Sequence, residues 1–380
     1  MIQRSYTYRL YPTKTQAAVL TEMLGAFCDL YNAALQQRIE AYRRQRKTLR
    51  YLDQANELKA VRAVDERLAH FSYSAAQQVL RRLDKAFTAF FRRLKTKAKA
   101  GFPRFQAKHR FDSAAFRVDD GLTIRKSKRL GVTGVPGEIK VKWHRDLPAA
   151  SRVGTAVLLR SAGKWFVCFQ IAMPETAIVE RDGPSVGIDV GLTSLVATSD
   201  GETVATPPWT KRTAKKQRRL QRALARCQRG SRRRLKAKQR LARHNAHTAN
   251  QRRDFLHKLS RSLVERYALI ALEDLNVDRL ARSMLAKAVH NAAWGHLRRF
   301  LEYKAASAGV RVEAVDPRGT SQTCPQCGAQ AAKTLNNRTH ACSCGCVMDR
   351  DVAAAVVILQ RVQEMGPGHG LRSPSQRATA

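Results

Sequence analysis

Ser5-Tyr-Thr-Tyr-Arg-Leu-Tyr11 alternates with the two-residue period of a strand and stops at Pro12. From Lys14 to Lys97 the pattern turns helical, with Ala, Leu, Gln and Arg at three-to-four spacing. Leu80, Leu83, Phe87, Phe90 and Phe91 share one face there, which the spacing predicts to be buried. Gly101-Phe-Pro-Arg-Phe105 breaks the helical run. From 114 to 173 the signals are β again. Val157-Leu-Leu-Arg160 and Trp165–Ile171 flank Ser-Ala-Gly-Lys as the arms of a hairpin. The first half thus reads as a β module with a helical insertion.

The second half begins near Arg181-Asp-Gly-Pro184. A strand runs into Asp189, and a β segment follows through 206. Leu220, Leu224, Leu235 and Leu241 predict a pair of amphipathic helices. A strand at 267–273, a helix at 289–308 and a strand at 310–315 come next. A cysteine module and a helix over 351–363 close the pattern, and the Gly-, Pro- and Ser-rich tail from Gly366 is expected to be loose. No internal repeat is evident.

Charge changes the picture. Lys plus Arg number 70 against 30 Asp plus Glu in 380 residues, giving a net charge of +40 and a pI near 10.9. An excess of that size implies a polyanionic partner. It is concentrated in 211–253, which holds 18 Lys or Arg and no acid. That run is either a solvated face or a phosphate-binding surface, and unrelieved mutual repulsion favours the second. The length allows two or three domains, and the 44% hydrophobic fraction is ordinary for a folded protein. No apolar run approaches the about 18 residues of a membrane span, and the first residues carry no apolar signal core, so a cytoplasmic, nucleoid-associated protein without a membrane partner is expected.

Five of the eight cysteines cluster. Cys324-Pro-Gln-Cys327 and Cys342-Ser-Cys344 form two pairs, with Gly328 and Gly345 just after them. Knuckles of this kind suit one structural zinc bound by four thiolates. Cys346 offers a second pairing, from Cys342 at C-x3-C spacing, and unpaired surface thiols are the plain alternative. Clustered thiols fit a reducing compartment better than a disulfide scaffold.

Three acids stand where apolar runs end. Asp189 lies between glycines in Val186-Gly-Ile-Asp-Val-Gly191, which also fits a turn aspartate or the phosphate loop of an actin-like ATPase. Glu273 ends Ala268-Leu-Ile-Ala-Leu-Glu273, with Asp274 as its rival for the inward position. Asp351 opens an apolar helix, where an acid also serves the helix dipole. Taken together they suggest a two-ion magnesium site. Magnesium takes hard oxygen ligands, and two ions about 4 Å apart activate a water and stabilise the leaving oxygen of a phosphodiester.

These features in this order resemble the TnpB family of insertion sequences, RNA-guided nucleases regarded as ancestral to type V CRISPR effectors. The resemblance is carried by Tyr8-Arg-Leu-Tyr-Pro12, Gly101-Phe-Pro-Arg-Phe105, Gly187-Ile-Asp-Val-Gly191, Asp254-Phe-Leu-His-Lys258, Leu272-Glu-Asp-Leu275, Thr320–Gly328 and Cys344-Gly with Asp349-Arg-Asp351. It implies an α+β and α/β multidomain fold. An N-terminal wedge β-barrel (1–12 and 101–181) would carry a helical recognition domain (13–100). A RuvC-like, RNase H-type nuclease domain (182–319 and 347–364) would hold the basic segment 211–253 and a zinc ribbon (320–346), before a flexible tail (365–380). It implies Asp189, Glu273 and Asp351 as catalytic acids, with Asp349 as runner-up for the third. The implied partners are a guide RNA from the transposon end and double-stranded DNA beside a short motif. By position Tyr51, Tyr73, Gln77 and Arg117 correspond to contacts with that duplex. Arg232, Arg233 and Arg234 are candidates for the backbone of the RNA or the RNA–DNA hybrid. The chain departs from the pattern at Ala353, where the family usually has Asn, and in its C-x-C second pair.

RNA-guided cleavage of DNA is therefore the leading expectation. An RNA-guided DNA-binding protein that does not cut is the alternative, and a transposase acting without a guide is a third.

Overall fold

The computed structural model describes residues 2–148, 152–173, 181–207, 209–276, 293–332 and 337–365. The expected tail and the first residues of the helix expected at 289 lie largely outside them. The chain divides into two compact units, Met1–Thr176 and Ala177–Ala380.

The first unit is a seven-stranded sheet with four helices. The strands are β1 (Ile2–Tyr11), β2 (Ser113–Val118), β3 (Gly121–Ile124), β4 (Leu130–Val132), β5 (Lys140–Lys142), β6 (Arg152–Ser161) and β7 (Lys164–Met173). Their order is β4-β3-β2-β6-β7-β1-β5. Leu130 and Ile139 exchange backbone hydrogen bonds of 3.0 and 2.8 Å beside the edge strands β4 and β5, which nearly closes the sheet into a barrel. Inward residues alternate on β7 as Trp165, Val167, Phe169 and Ile171, and they meet Tyr8 and Leu10 of β1 in one core.

The helical insertion is four helices rather than one run: α1 (Lys14–Gln45), α2 (Tyr51–Val64), α3 (Glu66–Ala69) and α4 (Tyr73–Lys95). Thr13 and Gln16 form a capping box that starts α1, and the Gln16 side chain reaches the Pro136 carbonyl at 2.9 Å. On α4 the expected buried face holds for Leu80 and Leu83. It fails at Phe91, which is 49% exposed, because the core against the sheet ends at Leu83 and the last turns of α4 run beyond it.

The second unit holds a five-stranded sheet: β8 (Ser185–Asp189), β9 (Ser194–Thr198), β10 (Thr203–Ala205), β11 (Leu269–Glu273) and β12 (Arg311–Val315). The order is β10-β9-β8-β11-β12. β8, β9 and β10 are antiparallel neighbours, whereas β11 runs parallel to both β8 and β12. Between β10 and β11 lie α5 (Trp209–Ala225) and α6 (Arg232–Arg266), and α7 (Trp294–Ala308) precedes β12. A small hairpin, β13 (Thr339–Ala341) and β14 (Val347–Asp349), leads into α8 (Arg350–Met365). Leu256 and Leu263 of α6 and Trp294, Leu297 and Leu301 of α7 form the core on one side of the sheet, and Ile358 and Val362 of α8 pack on the other. Among the described residues, no helix is long and apolar enough to cross a membrane.

Candidate functional site

Alternation along β11 decides where its acid points. Ile270 and Leu272 enter the core under α6 and α7, whereas Leu269 and Ala271 enter the core under α8. Glu273 continues the second series and lies on the α8 side. β8 behaves alike, with Val186 and Ile188 in the first core and Gly187 against α8. A methyl group at Gly187 would collide with the Ala355 carbonyl, so glycine is what lets helix and strand approach. Asp189, two residues on, shares that side. The parallel register pairs Leu272 with Ile188, so Glu273 comes level with Asp189 on strands about 4.8 Å apart.

The start of α8 supplies the third acid. Asp349 Oδ1 accepts the amides of Asp351 (2.8 Å) and Val352 (3.1 Å), the geometry of an N-cap. Asp351, in the first turn, is buried, with its Oδ2 3.8 Å from where a Cβ on Gly191 would stand. The two acids flanking Arg350 thus have separate jobs. Asp349 is spent on the helix terminus, and Asp351 joins Asp189. Ala353 is buried, as are Ala354 and Ala355 on the same helix.

Electrostatics tie the three together. Burial pushes the Asp189 carboxyl up to about 7, and the charges of Glu273 and then Asp351 push the same way, opposed by Arg350 and the Val190 amide. Burial also raises Glu273, against a hydrogen bond from Thr320 and the charge of Arg361. Asp351 has Arg350 at 3.3 Å and Arg338 at 3.9 Å. Asp274 is ion-paired to Arg298 at 2.8 Å, so Glu273 is the acid that faces Asp189. Clustered carboxylates that hold a proton near neutrality suit a divalent cation, which can take the proton's place.

The cysteine module is equally defined. Cys324, Cys327, Cys342 and Cys344 bring their sulfurs within 4.8 Å of one another. The Cys324–Cys344 and Cys327–Cys342 separations are 3.7 and 3.5 Å. Four thiolates about 2.3 Å from a tetrahedral zinc would stand about 3.8 Å apart, so the donor set fits zinc. Gly328 and Gly345 turn the two knuckles at φ +74° and +92°, where a side chain would be strained. Cys346 points instead to a buried group with His340 and Cys324.

The remaining candidates are placed less tightly. Tyr73, Gln77 and Arg81 follow one face of α4 at four-residue spacing, and the Arg81 guanidinium stacks on Tyr51 at 4.2 Å. Arg62 lies over Tyr73 at 5.5 Å, while Arg117 is exposed on β2. In the α5–α6 pair Leu220, Leu224 and Leu241 are half-buried and Leu235 is exposed. Arg232 and Arg233 are open to solvent, but Arg234 donates to the Leu224 and Cys227 carbonyls at 3.0 Å each and braces the turn. Thr320, Arg338 and Arg298 were not legible as partners of Glu273, Asp351 and Asp274, although Thr320 opens the Thr320–Gly328 stretch. Thr320 stands four residues before Cys324, and nothing in that spacing announces a partner on another strand.

Comparison with known proteins assigns the family. Residues 1–47 match a model described as "Helix-turn-helix domain" (HTH_OrfB_IS605), 168–284 match OrfB_IS605, "Probable transposase", and 294–358 match "Cas12f1-like, TNB domain". A Streptomyces pristinaespiralis protein named "Putative RNA-guided DNA endonuclease" is 35% identical over 370 residues, covering 94% of this chain and 89% of that one. The chain belongs to the TnpB family. A second member, InsQ of Escherichia coli K12, carries the same description and is 28% identical over 346 residues, 86% of this chain and 84% of that one. The Cas12f1 chain in a solved complex with sgRNA and target DNA shares the fold at a TM-score of 0.54 and 14% identity, across 91% of this chain and 83% of that one. A TnpB-family frame therefore surrounds the three acids and the four cysteines.

Proposed function

We propose that this TnpB-family chain is an RNA-guided DNA endonuclease that cuts with Asp189, Glu273 and Asp351. The observation that carries the reading is the convergence of these acids from β8, β11 and α8, where burial and then the charges of Glu273 and Asp351 raise the Asp189 carboxyl to about 7. The strand order, an antiparallel trio followed by two parallel strands, supports a RuvC-like, RNase H-type nuclease domain over 182–319 and 347–364. The nearly closed sheet supports a wedge barrel carrying α1–α4 as a recognition domain, and the cysteine knuckles support a zinc ribbon over 320–346.

The three carboxylates would hold two magnesium ions. Such ions supply Lewis-acid stabilisation of the phosphodiester and an activated water. Asp189 would give its proton to solvent on taking up a divalent ion. Thr320 holds Glu273, Arg350 and Arg338 hold Asp351, and Asp349 fixes the helix end on which Asp351 rides. The charge of α5 and α6 grips backbone phosphates without reading bases. The guide, transcribed from the transposon end, supplies target sequence by pairing, and Tyr51, Tyr73, Gln77 and Arg117 read a short flanking duplex.

The test is to purify the protein with its RNA, sequence that RNA, and supply DNA matching its variable 3′ segment. Guide-matched cleavage is expected with magnesium and none with EDTA. Guide-matched binding without cutting under any divalent ion would reduce the protein to a binder.

A further inference from the structure

Beyond the acids and the cysteines, the first unit contains a second built feature. A cleft of about 900 Å³ opens between the end of α1, the start of α2 and the last turns of α4. It lies at the upper end of the roughly 300–1,000 Å³ of small-molecule sites. One wall is aromatic. Phe102 meets Phe90 edge-on at 5.3 Å and 80°, and Phe87 at 5.6 Å and 90°. Phe91 and Phe102 keep about half their surface in solvent, at 49% and 48%. Phe87, Phe90 and Phe91 are the rings that the helical spacing on α4 had marked for a core.

The opposite wall is cationic. Arg43, Arg46 and Arg50 line it, with Arg46 over the Tyr42 ring at 5.5 Å, and Tyr51, the duplex candidate under Arg81, borders the same cleft. Asp84 is the only carboxylate among the lining residues, and it is committed to Arg38 at 3.1 Å. Flat apolar rings beside guanidinium groups match a nucleotide, with the base on the rings and the phosphate on the arginines. A second copy of this chain is a poor occupant, because it would press the same arginines against one another.

We propose that this cleft binds an unpaired nucleotide from a single-stranded segment of the bound RNA. The proposal rests on the guide-RNA reading above. A duplex keeps its bases stacked, whereas a folded RNA displays loops and single strands. The half-exposed rings are also apolar surface that a bound partner would cover.

The test uses the full-length protein, a Phe91→Leu variant that keeps apolar bulk without an aromatic face, and Phe91→Trp, which keeps the face. Each is titrated at high salt with fluorescent oligo(rA) of about 12 nucleotides, the matching oligo(dA) and an RNA duplex. Complexes with oligo(rA) are also cross-linked by ultraviolet light and the attached residues mapped. Phe91→Leu should weaken oligo(rA) at least about fivefold, the smallest loss expected of a stacked base, with Phe91→Trp near wild type and the duplex unaffected. The cross-link should fall on Phe91, Phe102 or Tyr42. Loss for oligo(dA) alone would overturn the RNA assignment in favour of a DNA strand. Equal binding by all three proteins, with cross-links only in α5 and α6, would overturn the cleft and leave the guide-RNA reading intact. No binding of any RNA by wild type would remove that reading too. A change of oligomeric state in Phe91→Leu, with RNA binding unchanged, would make the cleft a self-association surface and overturn the proposal.

Discussion

The buried hydroxyl of Thr320 donates a hydrogen bond to Glu273 Oε1, across 47 residues of sequence. It joins the lead-in of the cysteine module to the acid that ends β11. The same module is tied to α8, where Gln360 donates to the Pro325 carbonyl at 2.8 Å. A charge-assisted bond of this kind contributes about 1.5–3 kcal/mol. Thr320→Val should therefore raise the magnesium concentration needed for half-maximal cleavage by about tenfold or more, with zinc content and RNA binding unchanged. Cleavage measured across a magnesium titration checks this, and an unaltered midpoint removes Thr320 from the site.

Asp189 makes the metal-free protein pH-sensitive. Its folded pKa, about 7, lies above the ordinary value of 3.8, so between those values the folded state binds the extra proton. The resulting stability is fully present below pH 3.8 and is lost as pH rises through 7. With EDTA, Asp189→Asn should be more stable than wild type at pH 8 by up to about 4 kcal/mol, and the two should converge toward pH 4. Magnesium should recover part of the loss in wild type only. Denaturation across pH with and without magnesium reads both effects. A wild type that gains stability from pH 5 to 8 relative to the variant would contradict the assignment.

One zinc per chain is expected on Cys324, Cys327, Cys342 and Cys344. Cys344→Ser should lose zinc and loosen residues 320–349, because metal binding and local folding are one equilibrium. Cys346→Ser should keep the metal. Elemental analysis of the two variants decides this, and the reverse outcome would move the fourth ligand to Cys346.

Arg232 and Arg233 are open to solvent, and Arg234 is tied to the end of α5. Replacing the first two with Gln should lower the magnitude of the RNA-binding salt slope by about 1.4–1.8, at 0.7–0.9 per phosphate contact. Replacing Arg234 should instead unsettle the α5–α6 turn. Titrations at several salt concentrations, with helix content measured alongside, separate the two. An unchanged slope would make the basic helices a solvated surface.

Much of the acid site was legible because it is written in short-range patterns. An apolar run ending in Asp189, another ending in Glu273 and a helix opening at Asp351 each signal a buried element with a polar terminus. The cysteine spacing likewise announced a metal module with Cys344 as fourth ligand and Cys346 as its rival; in the structure Cys344 lies with the other three sulfurs, while Cys346 lies with Cys324 and His340. Phe91 and Arg234 were not legible. Helical periodicity shows which residues share a face but not where the packing partner ends, so rings at the end of α4 looked like core. A basic run looks uniform in sequence, yet folding spends one of its arginines on backbone carbonyls. Thr320 was hidden for the same reason, since its partner lies on a distant strand.

Asp351 is proposed to complete the cutting site, while its neighbour Asp349 caps the helix. Cleavage and binding of guide-matched DNA by Asp351→Asn and Asp349→Asn complexes test it most directly. Asp351→Asn should bind DNA like wild type and fail to cut, since removing a negative charge leaves the grip on phosphates intact. Asp349→Asn keeps an N-cap acceptor and should still cut. Normal cutting by Asp351→Asn, beside a dead but folded Asp349→Asn, would contradict the account.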